Sequence, residues 1–374
     1  MTCSLLSDKD DRASTREFLK TPSPSGCPVE RTTGVITTFK GVFVKKKRLM
    51  FGLAALAMVP VFALTACSST GGRDTGTAED PAVAGVADTP SIKIAMITHA
   101  APGDTFWDIV RKGAETAAAK DNVELLYSSD PQAPNQAQLI QQAIDQGVDG
   151  IAVTIAKGDA LEDSIKAAVD AGIPVVAFNG GSKEAFEFGA FTYIGQDEVV
   201  AGQAAGDKIT ELGYTKPLCI IQEQGHVGLE ARCAGIKEKV PATEILYVTG
   251  TDMTQVKSTI SAKLQSTPDT DVVIGLGAPF TLTAIDSVAE TGSSAKVASF
   301  DLNADLAQAI VDGDVVFTVD QQPYLQGYMA VDSLWLQNNG EFALGGGKPV
   351  LTGPTIIDES NAAVVLEEAK KGIR

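Results

Sequence analysis

"GVDGIAVTIAKGDALEDSIKAAVDAGIPVVAFN", residues 147–179, contains a complete strand–helix–strand unit. "GIAVT" is a short apolar run rich in β-branched residues. A stretch over about 160–171 then places apolar residues at helical spacing, and "PVVAF" follows as a second apolar run. Gly172 stands just past the helix and Pro174 just before the second strand, where stop signals belong. Strands that are apolar on both faces belong inside a parallel sheet covered by helices on both sides.

The same alternation extends in both directions. Upstream, "IKIAMIT" from Ile92 reads as a strand, and "FWDIVRKGAETAAAK" sets Phe106, Ile109, Val110 and Gly113 on one helical face. "VELLY" and a helix over about 135–146 follow. Downstream come "PLCIIQ", "EILYV", "DVVIGL", "KVASF" and "VVFTV", each separated by a helical pattern. About eleven strands are too many for one open sheet of this size, and a body of about 300 residues suits two α/β domains.

"KKKRLMFGLAALAMVPVFALTAC", residues 45–67, precedes that body. Lys45, Lys46, Lys47 and Arg48 make a positive cluster, and Leu49 to Ala66 carries no charge. At ~1.5 Å per residue the run nearly crosses a ~30 Å hydrocarbon core. Its end, Leu64-Thr65-Ala66-Cys67, resembles the lipobox of bacterial lipoproteins, which implies cleavage before Cys67 and a lipid on that cysteine. A retained membrane anchor is the alternative, but a small residue followed by Cys favours cleavage. Residues 1–44 are polar, Pro/Ser/Thr-rich and aperiodic, and read as a leader, with translation starting near Val44, or else as a cytoplasmic extension. Residues 68–90, rich in Gly, Ser, Thr, Ala and Asp, read as a flexible tether.

A net charge of −17 argues against nucleic-acid binding, which needs a basic face. Of the five cysteines, Cys219 and Cys233 alone lie in the exported body. An even count in an oxidising compartment suggests a disulfide, with two buried thiols as the alternative. "GLGAPF" (275–280) lacks the third glycine of a dinucleotide fingerprint, and "GGGK" ending at Lys348 lacks the P-loop's first glycine and Ser/Thr. With only His99 and His226, no metal or catalytic-triad pattern emerges, and no cofactor is expected.

In α/β sheets ligands bind beyond the carboxyl ends of the strands. Asp104 stands there beside Phe106 and Trp107, as a helix cap, a ligand contact or both. Phe106 starts an apolar helical face, and because neighbouring residues diverge, one of the two rings is expected to leave the core for the cleft. Arg232, near a helix start, is either a surface residue or a bidentate donor into the cleft. Asp301 directly follows a strand, as a turn former or as a ligand group.

The motifs "GDTFWDIVRKGA", "GVDGIAVT", "GIPVVAFN", "YIGQDEVVAGQAAGD", "EARCAG", "VASFD" and "TVDQQP" together resemble the periplasmic sugar-binding proteins of ABC transporters, the ribose- and galactose-binding type. The resemblance covers the chain from Ile92 onward and implies the type I periplasmic-binding-protein fold: two doubly wound parallel-sheet domains joined by three crossings. These are expected near Gly195–Asp197, near Asp320–Pro323 and in the glycine cluster at 342–348. The implied domains are 91–196 with 322–342, and 197–321 with 343–374. Asp104 takes the place of the family's early hydroxyl-binding Asp or Asn, Phe106 that of the stacking ring, and Trp107 that of its aromatic neighbour. Asn179 matches the polar residue after the fourth strand, and His226 a histidine of the galactose type. Arg232 matches an arginine three residues before a glycine, Asp301 a carboxylate gripping two hydroxyls, and Gln321 the polar residue before a hinge proline.

Gly180 departs from an arginine of the ribose type, Gly277 from an Asn of both, and Thr251 falls near a stacking Trp of the galactose type. A sandwiching ring is then missing unless Phe280 or Trp107 supplies it. The implied protein is a monomeric, lipid-anchored extracytoplasmic receptor for a monosaccharide or polyol. Its partner would be an ABC permease, and its only membrane contact the lipid. A sensor presenting its closed form to a kinase or chemoreceptor is the alternative. An enzyme would need a carboxylate pair across a glycosidic bond, for which Asp104 and Asp301 are the candidates.

Overall fold

A computed structural model describes residues 85–250 and 252–374, which lie within one compact unit, Thr75–Arg374. The leader, the basic–apolar segment with Cys67, and Thr251 lie outside the described residues. Among the described residues no helix is long and apolar enough to cross a membrane.

The first lobe alternates β1 (Ile92–Thr98), α1 (Thr105–Asp121), β2 (Val123–Ser129), α2 (Ala133–Asp145), β3 (Gly150–Val153), α3 (Glu162–Asp170), β4 (Val175–Phe178), α4 (Ser182–Glu187) and β5 (Thr192–Gly195). The second continues with α5 (Glu198–Glu211), β6 (Pro217–Ile221), α6 (Val227–Lys239), β7 (Glu244–Tyr247), α7 (Met253–Ser266), β8 (Val272–Gly275), α8 (Ala278–Thr291), β9 (Lys296–Phe300), α9 (Ala304–Asp312) and β10 (Val315–Asp320). The chain then returns to the first lobe as α10 (Pro323–Gly340) and β11 (Val350–Leu351), and ends in the second as β12 (Thr355–Asp358) and α11 (Ala362–Lys370).

The sheets have orders β11-β5-β4-β3-β1-β2 and β12-β10-β9-β8-β6-β7. Every pairing is parallel except β10–β12. The architecture is the doubly wound α/β class that the quoted motifs imply.

Period-two alternation explains why the strands are apolar on both faces. In the first lobe Ala95, Ile97, Ile151 and Val153 pack under α2 and α3, whereas Ile94, Met96, Ala152 and Val176 pack under α1 and α10. The second lobe repeats the arrangement, with Cys219, Ile221, Ile274 and Phe300 against α5 and α6. Cys219 and Cys233 are joined there as a disulfide, with Cα atoms 5.9 Å apart.

Glycines set two close helix crossings. A Cβ at Gly327 of α10 would lie 1.9 Å from the Val110 carbonyl oxygen of α1, and one at Gly202 of α5 would lie 2.2 Å from the Arg232 carbonyl oxygen of α6.

The chain crosses between lobes at Gln196–Asp197, at Gln321–Gln322 and at Thr352–Pro354. The third crossing differs from the expected 342–348. Gly345, Gly346 and Gly347 have positive φ and form a turn beside β5, after which Val350 pairs with Ile194 in the first sheet. The cluster therefore shapes the entry to an edge strand, and residues 343–351 belong with the first lobe. The end of the expected tether is also pinned: Ala87 N donates to Lys120 O (2.7 Å), and Trp335 Nε1 donates to Thr89 Oγ1 (3.2 Å).

Candidate functional site

Between the lobes lies a cavity of about 1050 Å³. Asp104, Phe106, Trp107, Asn179, His226, Arg232, Asp301 and Gln321 all line it.

The two lobes aim side chains into the cavity by the same device. Asn179 follows β4 and Asp301 follows β9, both with φ of 63°, the left-handed region that Asn and Asp tolerate best among non-glycine residues. Each backbone N–H is held by the neighbouring strand, Asn179 N on Ile194 O and Asp301 N on Val319 O, both at 2.9 Å. Each carbonyl oxygen accepts a buried hydroxyl, from Tyr193 and Thr318 respectively. The turn-forming and cleft-lining readings of Asp301 are thus the same feature.

At the hinge wall, planar polar groups form one chain of hydrogen bonds. Asn179 Nδ2 donates to the Oε1 atoms of Gln321 and Gln326, both at 3.2 Å. Gln321 Nε2 donates to Asp301 Oδ1, and Arg232 Nη1 to Asp301 Oδ2 at 3.4 Å. Gln326 Nε2 also donates to Thr352 Oγ1 at 3.1 Å. Arg232 is buried, not a surface residue, and its fork faces inward: Nε and Nη2 donate to Glu198 Oε2 and Oε1 at 2.6 and 3.1 Å. Burial raises the carboxyls of Glu198 and Asp301, with Arg232 offsetting the rise in both.

Asp104 caps α1 by accepting from Phe106 N at 3.1 Å. Burial, with Asp301 adding to it, raises this carboxyl to about 6. Phe106 and Trp107 differ from expectation, because both pack into the same core cluster and both line the cavity. At the start of α1 the apolar face is wide enough for two adjacent rings, which meet edge to face with centroids 5.1 Å apart. Phe280 lines the cavity too, close enough to Gly277 that a Cβ there would sit 3.3 Å from its ring. At Gly180 a Cβ would make ordinary 3.5 Å contacts, so packing does not demand glycine there.

Opposite the hinge wall, the lobes touch. Val227 N donates to Ala156 O at 3.0 Å, Lys157 Nζ pairs with Glu223 Oε1 at 2.6 Å, and His226 Nε2 lies 3.1 Å from His99 Nε2. His99, His226 and Glu223 are near enough to suggest a metal site, but their donor chemistry argues against it. His226 caps α6, its Nδ1 accepting from the N–H groups of Gly228 (3.1 Å) and Leu229 (3.3 Å). That leaves the proton of the neutral ring on Nε2, the atom a metal would need as a lone pair. Nε2–H therefore donates to His99 Nε2, and His99 Nδ1–H donates to Thr154 Oγ1 at 2.7 Å. Burial drives both imidazoles toward the neutral form, His99 to about 3.

Residues 94–341 match the model of the periplasmic binding protein domain. The chain belongs to the periplasmic binding protein family and is a type I sugar-binding member of it. The crystal structure of a carbohydrate transporter from Acidothermus cellulolyticus, in complex with myo-inositol, is 52% identical over 76% of this chain and 100% of that one, with a TM-score of 0.75. A solute-binding protein from Burkholderia graminis, in complex with D-arabinose, is 27% identical over 72% of this chain and 96% of that one, with a TM-score of 0.65. The xylose/arabinose-binding protein XylF of Sulfolobus acidocaldarius is 28% identical over 67% of each chain. These relatives are sugar-binding transport proteins, and the chain is a binding protein, not an enzyme.

Sequence reasoning did not single out Glu198 or Gln326, since neither ends a strand. For Glu198 the available signal was the glycine spacing in "EVVAGQAAGD" and "EARCAG", which announces two helices in close contact.

Proposed function

We propose that the chain is a lipid-anchored extracytoplasmic receptor that captures a monosaccharide or cyclic polyol between its lobes and hands it to an ABC permease. An inositol is the first candidate, because the 52% identical relative holds myo-inositol. The observation that carries the reading is the hydrogen-bonded set Asn179, Gln321, Asp301 and Arg232, drawn from both lobes and facing Asp104 and the Phe106–Trp107 rings across one cavity.

Planar amides, carboxylates and a guanidinium can exchange water for ligand hydroxyls. Each exchange is worth only about 0.5–1.5 kcal/mol, or about 1.5–3 kcal/mol where a charge takes part. Affinity therefore comes from many concurrent contacts together with ring stacking. A ligand touching both lobes favours the closed form, which the contacts at Ala156, Lys157 and His99 would seal. The closed form is the species offered to the permease, and Cys67, by its lipobox, is the point of lipid attachment.

The test is a thermal-shift screen with myo-inositol, D-ribose, D-xylose, D-arabinose and D-galactose, followed by calorimetry. A ligand at a hundred times its Kd adds about 2.7 kcal/mol to the folded state. Stabilisation by none of them would count against the reading.

A further inference from the structure

The carboxylate that controls Arg232 does not itself line the cavity. Glu198 is the first residue of α5, directly after the first crossing between lobes, and is buried behind Arg232. It reaches the guanidinium because α5 and α6 are pressed together: a Cβ at Gly235 would lie 2.4 Å from Val199 O, as one at Gly202 would meet Arg232 O. Gln196 Nε2, in the crossing itself, donates to Glu198 Oε2 at 2.8 Å.

Of the five N–H groups of Arg232, Glu198 takes two and Asp301 takes one. The pairing is lopsided, with short contacts at 2.6 and 3.1 Å to Glu198 and a long one at 3.4 Å to Asp301. Without Glu198 a buried guanidinium would turn its fork onto the nearest remaining carboxylate, Asp301, and make a bidentate pair there. Both groups would then be spent on each other instead of on ligand hydroxyls.

We propose that Glu198 is a positioning residue for ligand capture. It holds Arg232 by one edge, so that Arg232 and Asp301 remain only weakly paired and available to ligand, and it joins that arrangement to the first hinge crossing through Gln196. This rests on the cavity being the ligand site.

The substitutions Glu198→Gln and Glu198→Asp test it. Glutamine keeps the shape but removes one of two buried carboxylates sharing a single guanidinium, leaving Arg232 and Asp301 charge-balanced. Affinity, read by calorimetry with the best ligand among myo-inositol and the four sugars named above, should fall about tenfold or more in Glu198→Gln. The unfolding midpoint should stay level or rise. Aspartate keeps the charge but is one methylene shorter, so Glu198→Asp should lose affinity by a smaller factor. Affinity losses that follow midpoint losses across the two variants, or affinities equal to the parent's, would overturn the proposal. The parent chain measured alongside separates the two readings: if it binds none of the five compounds, the ligand-site reading fails and this proposal fails with it.

Discussion

Acidification should destabilise this chain partly through one imidazole, His99. Its ring is buried at the seam between the lobes and held neutral, with its pKa moved from the ordinary 6.5 to about 3 by burial, Lys157 adding to the effect. Between those two values the unfolded chain binds a proton that the folded chain refuses, so stability is lost as the pH falls below about 6.5. At pH 5 the loss relative to pH 8 is about 2 kcal/mol from His99 alone. His226, also held neutral, acts in the same direction. Asp104 acts oppositely, because a carboxyl raised to about 6 takes up its proton in the folded chain first and adds stability as the pH falls toward 3.8. The profile of the parent chain is therefore a sum, and the difference between parent and His99→Gln reports the His99 imidazole together with its influence on His226. Urea unfolding at pH 8 and pH 5, with equal slopes against denaturant, gives the four free energies needed. The parent should lose about 2 kcal/mol more than the variant between the two pH values. Equal losses would show that His99 titrates normally in the folded chain and is solvated there, refuting the closed seam as its environment.

Arg232→Ala should weaken ligand binding by about 2–4 kcal/mol. It should also cost about 3–5 kcal/mol of stability, because Glu198 and Asp301 are left buried without their cation. Calorimetry and denaturant unfolding read the two separately, and an unchanged stability would contradict the buried fork. Reducing the bond between Cys219 and Cys233, 14 residues apart, should lower stability by about 3 kcal/mol through loop entropy, seen as a reductant-dependent midpoint. Gly327→Ala should destabilise by about 1–3 kcal/mol or more, since the new methyl meets the backbone of α1. A neutral midpoint there would mean that the helix crossing is looser than described.

The alternation of strands and helices was legible because it depends on short-range patterning. Runs such as "VVAF" and "VVIG" are too apolar for a half-exposed strand, and Gly172 marks a helix end wherever the helix goes. The third crossing was misread for a physical reason: three glycines permit a hinge but equally permit a turn, and only the pairing of Val350 with Ile194 decides between them. Candidate site residues were legible where they end strands, as Asn179 and Asp301 do. Phe106 and Trp107 show the limit of a helical wheel, which treats core and cavity as opposite sides when a ring at a helix start can border both. Glu198 was hidden for a different reason. Its role comes from a helix–helix approach set by Gly202 and Gly235, a contact between segments more than thirty residues apart.

The placement of these polar groups bears on how affinity and hinge angle are related. Glu198 and Gln196 belong to the first crossing, Gln321 to the second, and Thr352 to the third; through Gln326, Asp301 and Arg232 they share hydrogen bonds with the cavity wall. A polar network in a low-dielectric interior is not a sum of independent pairs. Removing one member leaves its neighbours to find new partners, as Asp301 and Arg232 would find each other. Substitutions in this wall will therefore change ligand contacts and the preferred lobe angle together, and single-variant affinities will not add. A substitution on the far side of the cavity, at Phe106 for instance, perturbs an uncharged ring that neither donates nor accepts a hydrogen bond. Its effect should combine with that of Glu198→Gln nearly additively, whereas Gln321→Ala and Glu198→Gln, coupled through Asp301 and Arg232, should not. A double-variant cycle on ligand affinity distinguishes the two cases, and equal coupling in both would show that the hinge wall does not act as one unit.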